Sequence, residues 1–298
     1  MYKLVIIFFL AFIFTSCEKE IKFKQKDVEP KIVINALLNT DSAWVINVSH
    51  SLNILDKNKP KELPDANVVL KDMEGNILEV LNHSADGNFI STNNSKPIFG
   101  KSYQLEVSHK NYKTVEATTI IPTPVSFEII DTTKVVFKSE ESMRVRIRFT
   151  DPANESNYYF IKALVEYKSY LFDEFGNIID SMYNSYPEYI GSNDLNIENL
   201  DENNSKSSEL YLKDNLINGK TVEIDLYMNY FLFQLNEFSN ISLVLASAGK
   251  DFYLHKISKN KHDNIQGNPF AEPVIIYSNI KNGIGIFAGY SYTSKPIK

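Results

Sequence analysis

The chain has 298 residues, 43% of them hydrophobic and 12% aromatic, with a formal charge of −6 at pH 7. This is enough apolar material for a sizeable core and enough length for two domains of ordinary size. A mildly acidic chain without a basic cluster is a poor nucleic-acid binder, and the lone cysteine, Cys17, excludes an internal disulfide.

The apolar run Leu4 to Phe14 follows Lys3 and is about eleven residues long, well short of the roughly twenty needed to cross a bilayer as a helix. It reads as the hydrophobic part of a signal peptide. The small pair Thr15-Ser16 and then Cys17 predict cleavage that leaves a cysteine at the new N-terminus, with lipid on its thioether. Phe14 departs from the aliphatic residue usual in that position, and an ordinary secretory signal with a chance cysteine is the alternative. One acyl chain holds a protein only marginally and stable anchoring takes about two signals; the bacterial type carries more than that. Residues 1–16 are thus expected to be a signal peptide, and 17–30 a lipidated cysteine and tether. Loss of Lys3 with the leader takes the formal charge from −6 to −7. The tether mixes both charge signs, ends at Pro30 and reaches at most about 45 Å. Glu18 and Glu20 resemble surface-export signals of Bacteroidota lipoproteins, although a solvated linker explains the same residues.

Residues 31–122 alternate in short runs separated by turn residues. Strands are predicted over Lys31–Leu38, Ala43–His50, Ala66–Lys71, Ile77–Leu81, Lys101–His109 and Lys113–Ile121. Trp44, Ile46 and Val48 share one face, as do Tyr103, Leu105 and Val107. Glu74-Gly75-Asn76 and Asp86-Gly87-Asn88 are turns. About seven short strands at this spacing imply a β-sandwich. The pattern from Ala66-Asn67-Val68 to Gly100-Lys101-Ser102-Tyr103-Gln104-Leu105 resembles an immunoglobulin-like or transthyretin-like module. The fold expected for the whole chain is all-β, with a second β-rich domain over 123–298 that carries one short helix.

Pro122 and Pro124 form a stiff hinge. In Met143–Phe149 the apolar residues Met143, Val145, Ile147 and Phe149 point one way and Arg144, Arg146 and Arg148 the other. That arginine row is either a docking stripe for an acidic partner or a solvated face with cross-strand carboxylates, and the second reading is favoured. Tyr158 to Tyr189 is rich in aromatics around the turn Asp173-Glu174-Phe175-Gly176-Asn177. Tyr158, Tyr159, Tyr167, Tyr170, Tyr183, Tyr186 and Tyr189 form a candidate binding surface, since Tyr pairs a flat apolar ring with a polar tip. Tyr is equally a good strand former whose alternate positions face a core. Gly191–Glu209 is a polar loop; Asp194, Asn196 and Glu198 have a calcium-like spacing but lack the glycine and closing glutamate of the helix-loop-helix pattern. Val222–Met228 alternates, Ile241–Leu245 is a short buried strand, and Ser247–Lys261 changes to helical spacing. Val274–Tyr277 is strand-like, and Ile284–Ser291 is the closing strand, its glycines allowing close packing on a neighbour.

No reaction chemistry emerges. His50, His83, His109, His255 and His262 lack zinc-site spacing, so no metal or cofactor is expected. Gly283-Ile284-Gly285-Ile286-Phe287-Ala288-Gly289 has the wrong spacing for a dinucleotide loop, and the carboxylates are scattered, so no acid/base pair can be nominated. Asp41-Ser42-Ala43, Asp131-Thr132-Thr133 and Asp180-Ser181-Met182 resemble an O-glycosylation pattern of Bacteroidota envelope proteins, and Asp-Ser is also ordinary turn chemistry.

Several pieces stand in one order: Ser16-Cys17-Glu18, Lys31-Ile32-Val33-Ile34-Asn35-Ala36, Pro64-Asp65-Ala66-Asn67-Val68, Asp151-Pro152 with Asn157-Tyr158-Tyr159, Asp214-Asn215-Leu216-Ile217-Asn218-Gly219-Lys220, Asn268-Pro269-Phe270-Ala271-Glu272-Pro273-Val274 and Ser278 to Phe287. Together they resemble the Bacteroidota lipoproteins grouped as domain of unknown function 4249. The resemblance implies no reaction and no catalytic residues. It implies an accessory lipoprotein of the outer membrane, surface-facing or periplasmic, working beside a TonB-dependent receptor in nutrient uptake. A structural or adhesive surface protein is the second expectation, and an enzyme acting on glycan or peptide the third.

Overall fold

The computed structural model describes residues 29–53, 56, 60–153, 155–198, 206–234, 238–268 and 270–297. The expected signal peptide, Cys17 and the tether up to residue 28 lie outside these. The chain is all-β, as its alternating pattern predicts.

The N-terminal half holds seven strands: β1 (Ile32–Leu38), β2 (Val45–His50), β3 (Asn67–Lys71), β4 (Ile77–His83), β5 (Asn88–Ile90), β6 (Ser102–His109) and β7 (Tyr112–Ile120). Most have one buried face of branched or aromatic residues, as alternation demands; β3 buries Val68, Val69 and Leu70 in succession, and β4 buries only Leu81. Trp44, Ile46, Val48, Tyr103, Leu105 and Val107 all point into one core, and Trp44 packs edge-on against Tyr103 at 4.8 Å. Two of the turns carry conformations that side chains avoid: Gly75 has φ +89° and Gly87 φ +73°.

The C-terminal half is a three-layer stack. Its central sheet contains β10 (Tyr158–Phe172), β11 (Ile178–Glu188), β12 (Ile197–Glu198), β13 (Leu210–Lys213), β15 (Phe238–Ala248) and β16 (Ile284–Pro296). A three-stranded sheet, β8 (Phe127–Phe137), β9 (Glu140–Thr150) and β14 (Thr221–Asn229), covers one face. Val145, Ile147, Phe149, Ile224, Leu226 and Met228 meet Tyr159, Ile161, Ala163 and Val165 there. The other face carries helix α2 (Lys250–Ile265), whose Phe252, Tyr253 and Ile257 pack on Phe160, Tyr211 and Ala246. Each fully buried aliphatic or aromatic side chain contributes about 1.5–3 kcal/mol. A single helical turn, α1 (Phe231–Gln234), precedes β15.

Three expectations shift. The helix begins after Gly249, because Ser247 and Ala248 still pair with β10 and β16 in the ladder of β15. β15 therefore runs well past the expected Ile241–Leu245. Val274–Tyr277 joins no sheet; it lies along α2, where the His262 and His255 Nδ1–H groups donate to Val274 O (2.9 Å) and Tyr277 O (2.7 Å) and Tyr277 N donates to Ser258 Oγ (2.8 Å). The helix side chains supply the partners that a strand would have needed from a ladder.

The last strand joins the halves. Ile284–Gly289 pairs in parallel with β1, and Tyr290–Pro296 pairs antiparallel with β15. A hydrogen-bonded path thus runs from β12 through β16 to β7. The closing glycines have the expected role. A Cβ on Gly285 would lie 1.9 Å from Ile34 O, and one on Gly289 2.6 Å from Ile120 O. The Asn279 side-chain amide completes the join, accepting from Phe287 N (3.0 Å) and donating to Phe287 O (2.8 Å).

Candidate functional site

β10 begins as a core strand and ends as something else. Over Tyr158–Ile161 it lies between β15 and β13. From Ala163 onward β11 takes the place of β13, and the pairing with β15 ends at Tyr167. Beyond that point Lys168–Phe172 and Ile178–Tyr183 pair with each other, forming a two-stranded arm beyond the stacked layers among the described residues.

The tip is shaped by one carboxylate. Asp173 Oδ1 accepts from Phe175 N (2.9 Å) and Asn177 N (2.8 Å), while its Oδ2 accepts from Asn177 Nδ2 (2.9 Å). The Asn177 side chain, then the turn's backbone amides, hold the Asp173 carboxyl below its ordinary range. Gly176 supplies φ +83°. The β3–β4 turn uses the same device, with Asp72, Gly75 and Asn76 in the corresponding places.

Register sorts the arm's side chains into two faces. Lys168 stands opposite Tyr183, and Tyr170 opposite Ser181. On this face the Lys168 ammonium lies 5.5 Å from the Tyr170 ring centroid and 5.6 Å from that of Tyr183, and Phe172 follows Tyr170 at 6.4 Å. The opposite face carries Leu171, Met182 and the pair Tyr167–Tyr186, whose rings meet at 5.8 Å. Leu171, Phe172, Phe175, Ile178, Ile179 and Met182 are all exposed, Phe175 by 81%, and Tyr183 is 70% exposed. Contiguous exposed apolar patches mark interaction sites.

The seven tyrosines separate accordingly. Tyr170 and Tyr183 come together on one face, and Tyr167 and the half-buried Tyr186 on the other. Tyr189 is exposed at the arm's base. Tyr158 is apart, packed against Tyr253 of the helix at 4.9 Å. Tyr159 is a correction: it has no exposed surface and belongs to the core. Its ring meets Phe149 edge-on at 5.4 Å and its hydroxyl donates to Asp151 Oδ1 at 2.5 Å. Burial, then that carboxylate, pushes the phenol far above its ordinary range. Strand alternation places Tyr159 beside Ile161 and Ala163, on the face the small sheet covers. Leu171, Ile178, Ile179 and Met182 were not foreseen as surface. Their signal was the consecutive runs Tyr170-Leu171-Phe172 and Ile178-Ile179, which leave neither face of the hairpin polar.

The arginine row is closed, as the favoured reading held. Arg146 makes a bidentate pair with Asp225 (2.7 and 2.9 Å). Arg148 Nε donates to Glu223 at 2.9 Å, and Arg144 pairs with Asp131. Asp225 and Asp131 are held below their ordinary range by Arg146 and Arg144 respectively. The calcium-like triplet is also engaged. Asp194 Oδ1 accepts from Asn196 N (2.8 Å) and Nδ2 (2.7 Å), and Glu198 faces Lys213 at 3.5 Å. Among the described residues no group of His, Cys, Asp or Glu is arranged to hold a metal ion, and no helix is long and apolar enough to cross a membrane.

No curated protein matches the chain. A solved structure titled "Biofilm associated protein - BSP domain" is similar at 8% identity with a TM-score of 0.18, over 94% of this chain and 61% of that one; at that distance it carries no argument. The chain spans about three fifths of that structure's length. A family match runs over residues 18–296, through every strand described above, and by it the chain belongs to the family described as domain of unknown function DUF4249.

Proposed function

We propose that the chain is a lipid-anchored binding component of the outer membrane, facing the cell surface and working without catalysis beside a TonB-dependent receptor in nutrient uptake. The observation that carries this reading is the exposed aromatic and apolar arm of β10 and β11. Its side chains have the composition of an interface core, rich in Tyr, Phe and Met. The signal-like run ahead of Cys17 supports the anchor, and the family resemblance supports the receptor.

The test has two parts. Cys17→Ser should move the protein from the membrane pellet to the soluble fraction, and a variant that stays fully in the pellet refutes the anchor. The lipidated wild type, taken from outer membranes in mild detergent, should bring a TonB-dependent receptor with it. Purification of the protein alone refutes the partnership.

A further inference from the structure

We propose that the distal β10–β11 arm is a plug that seats in an apolar groove, rimmed by lysine and arginine, on a partner protein of the envelope. The inference rests on the binding reading above and names the element that makes the contact. An isolated two-stranded hairpin is at best marginal in water and needs a third surface for independent stability. This arm has no such surface among the described residues, yet it carries apolar side chains on both faces. Its shape is nevertheless prepared: the Asp173–Asn177 turn is tied by the bonds above, and Lys168 holds the Tyr170 and Tyr183 rings on one side. A preformed arm spends little ordering entropy on docking.

Charge selects the occupant. Between Lys168 and Tyr183 stand Asp173, Glu174 and Asp180 against Lys168 alone. Glu174 and Asp180 are exposed while Asp173 is engaged in the turn, so two solvent-facing carboxylates flank the apolar tip. A basic rim complements it, whereas a second copy would oppose like charges, which is unfavourable. An anionic lipid surface is disfavoured on the same ground.

Direction disfavours the bilayer that would hold the N-terminus. β1 and the first half of β16 run in parallel from the end where residues 1–28 join. Pro296 at the far end of β16 is level with Ser242, and Ser242 with Leu164. The arm continues from Leu164 to Phe172 in the same direction. From Ile284 to the tip this is about twenty strand residues, at most roughly 65 Å at ~3.3 Å each given the twist between strands. The arm therefore points away from the tethered end.

The experiment places a photoreactive benzoylphenylalanine at Phe172 or Tyr183 of the full lipidated chain in intact cells. Met73, 58% exposed in the matching turn of the N-terminal half, is the control position. Irradiation should give an adduct of one defined mass from positions 172 and 183 and none from 73, with the partner identified by peptide mass spectrometry. Glu174→Lys with Asp180→Lys in the same background should cut the adduct yield about tenfold, while the thermal melt stays with that of the parent. Adducts with a second copy of this chain, adducts with lipid only, or a yield at 172 and 183 no higher than at 73 would each overturn the proposal. An adduct unchanged by the two lysines overturns the basic rim. If the captured protein is not a TonB-dependent receptor, the plug stands and the receptor reading falls. If a receptor co-purifies while the arm gives no adduct, the reverse holds.

Discussion

Replacing Gly285 by alanine tests whether β16 is the join between the two halves. Gly285 has φ +111° and pairs with Ile34 in the parallel ladder. An added Cβ would lie 1.9 Å from Ile34 O and 2.9 Å from Ile34 C, so the strands must part by more than an ångström. Two costs combine. A non-glycine residue in that conformation costs about 1–3 kcal/mol. Parting the strands leaves a buried carbonyl unpaired, at about 1–3 kcal/mol. Together they amount to ~4 kcal/mol, a large loss for a protein whose total stability is of order 5–15 kcal/mol. At about 2–4 °C per kcal/mol the melting temperature should fall by about 8–16 °C. The control is Gly75→Ala, with φ +89° and nothing within 4 Å of the added carbon. It bears the dihedral cost, ~2 kcal/mol, without the clash, so its shift should be about 4–8 °C. Both are read by differential scanning calorimetry on residues 18–298 made without the leader. Equal shifts for the two variants would refute the argument from close strand approach.

Tyr159→Phe removes the donor to Asp151 Oδ1, a carboxylate itself buried and held otherwise by Gly219 N (3.0 Å). It should destabilise by about 1–3 kcal/mol, seen as a lower urea midpoint at unchanged slope; an unchanged midpoint would show that the hydroxyl is dispensable. Glu188, at the base of β11, has its carboxyl raised by burial, against the lowering effect of Lys206. Its folded value lies above the unfolded one, so its contribution is full below the unfolded value of about 4.3 and is lost as pH rises through the folded value. Glu188→Gln should therefore gain stability over the parent between pH 4 and pH 7, measured as the difference in urea midpoints, and a difference that does not grow with pH would contradict the burial.

Strand faces were legible in the sequence wherever polar and apolar residues strictly alternate. Tyr103, Leu105 and Val107 in β6, and Val145, Ile147 and Phe149 in β9, are buried as the pattern requires. The arginine row called for cross-strand carboxylates, but which ones only the pairing decided: β8 and β14 carry Asp131, Asp225 and Glu223 beside it. β8 escaped notice. It is an edge strand whose middle is exposed, and an irregularity between Ile129 and Asp131 breaks its alternation. The sequence pattern marks only Ile241–Leu245 of β15, because Ala246 and Ala248 are small rather than strongly apolar; their size suits the contact with α2. In the candidate site, Tyr159 and Tyr170 look alike in sequence. Tyr159 is covered by the small sheet, while Tyr170 sits on the opposite face of β10, past Tyr167, where the pairing with β15 ends.

The amino-acid order alone determined that this chain folds into sheets, where its turns fall, and which side chains share a face, because a pleated strand sets its period locally. Tertiary structure decided the rest. That the last strand lies against the first, some 250 residues earlier, and that β10 outruns its neighbours to form a bare apolar arm, are facts of long-range pairing. Alternation marks the two sides of a strand, but what lies against each side depends on segments far away in the chain.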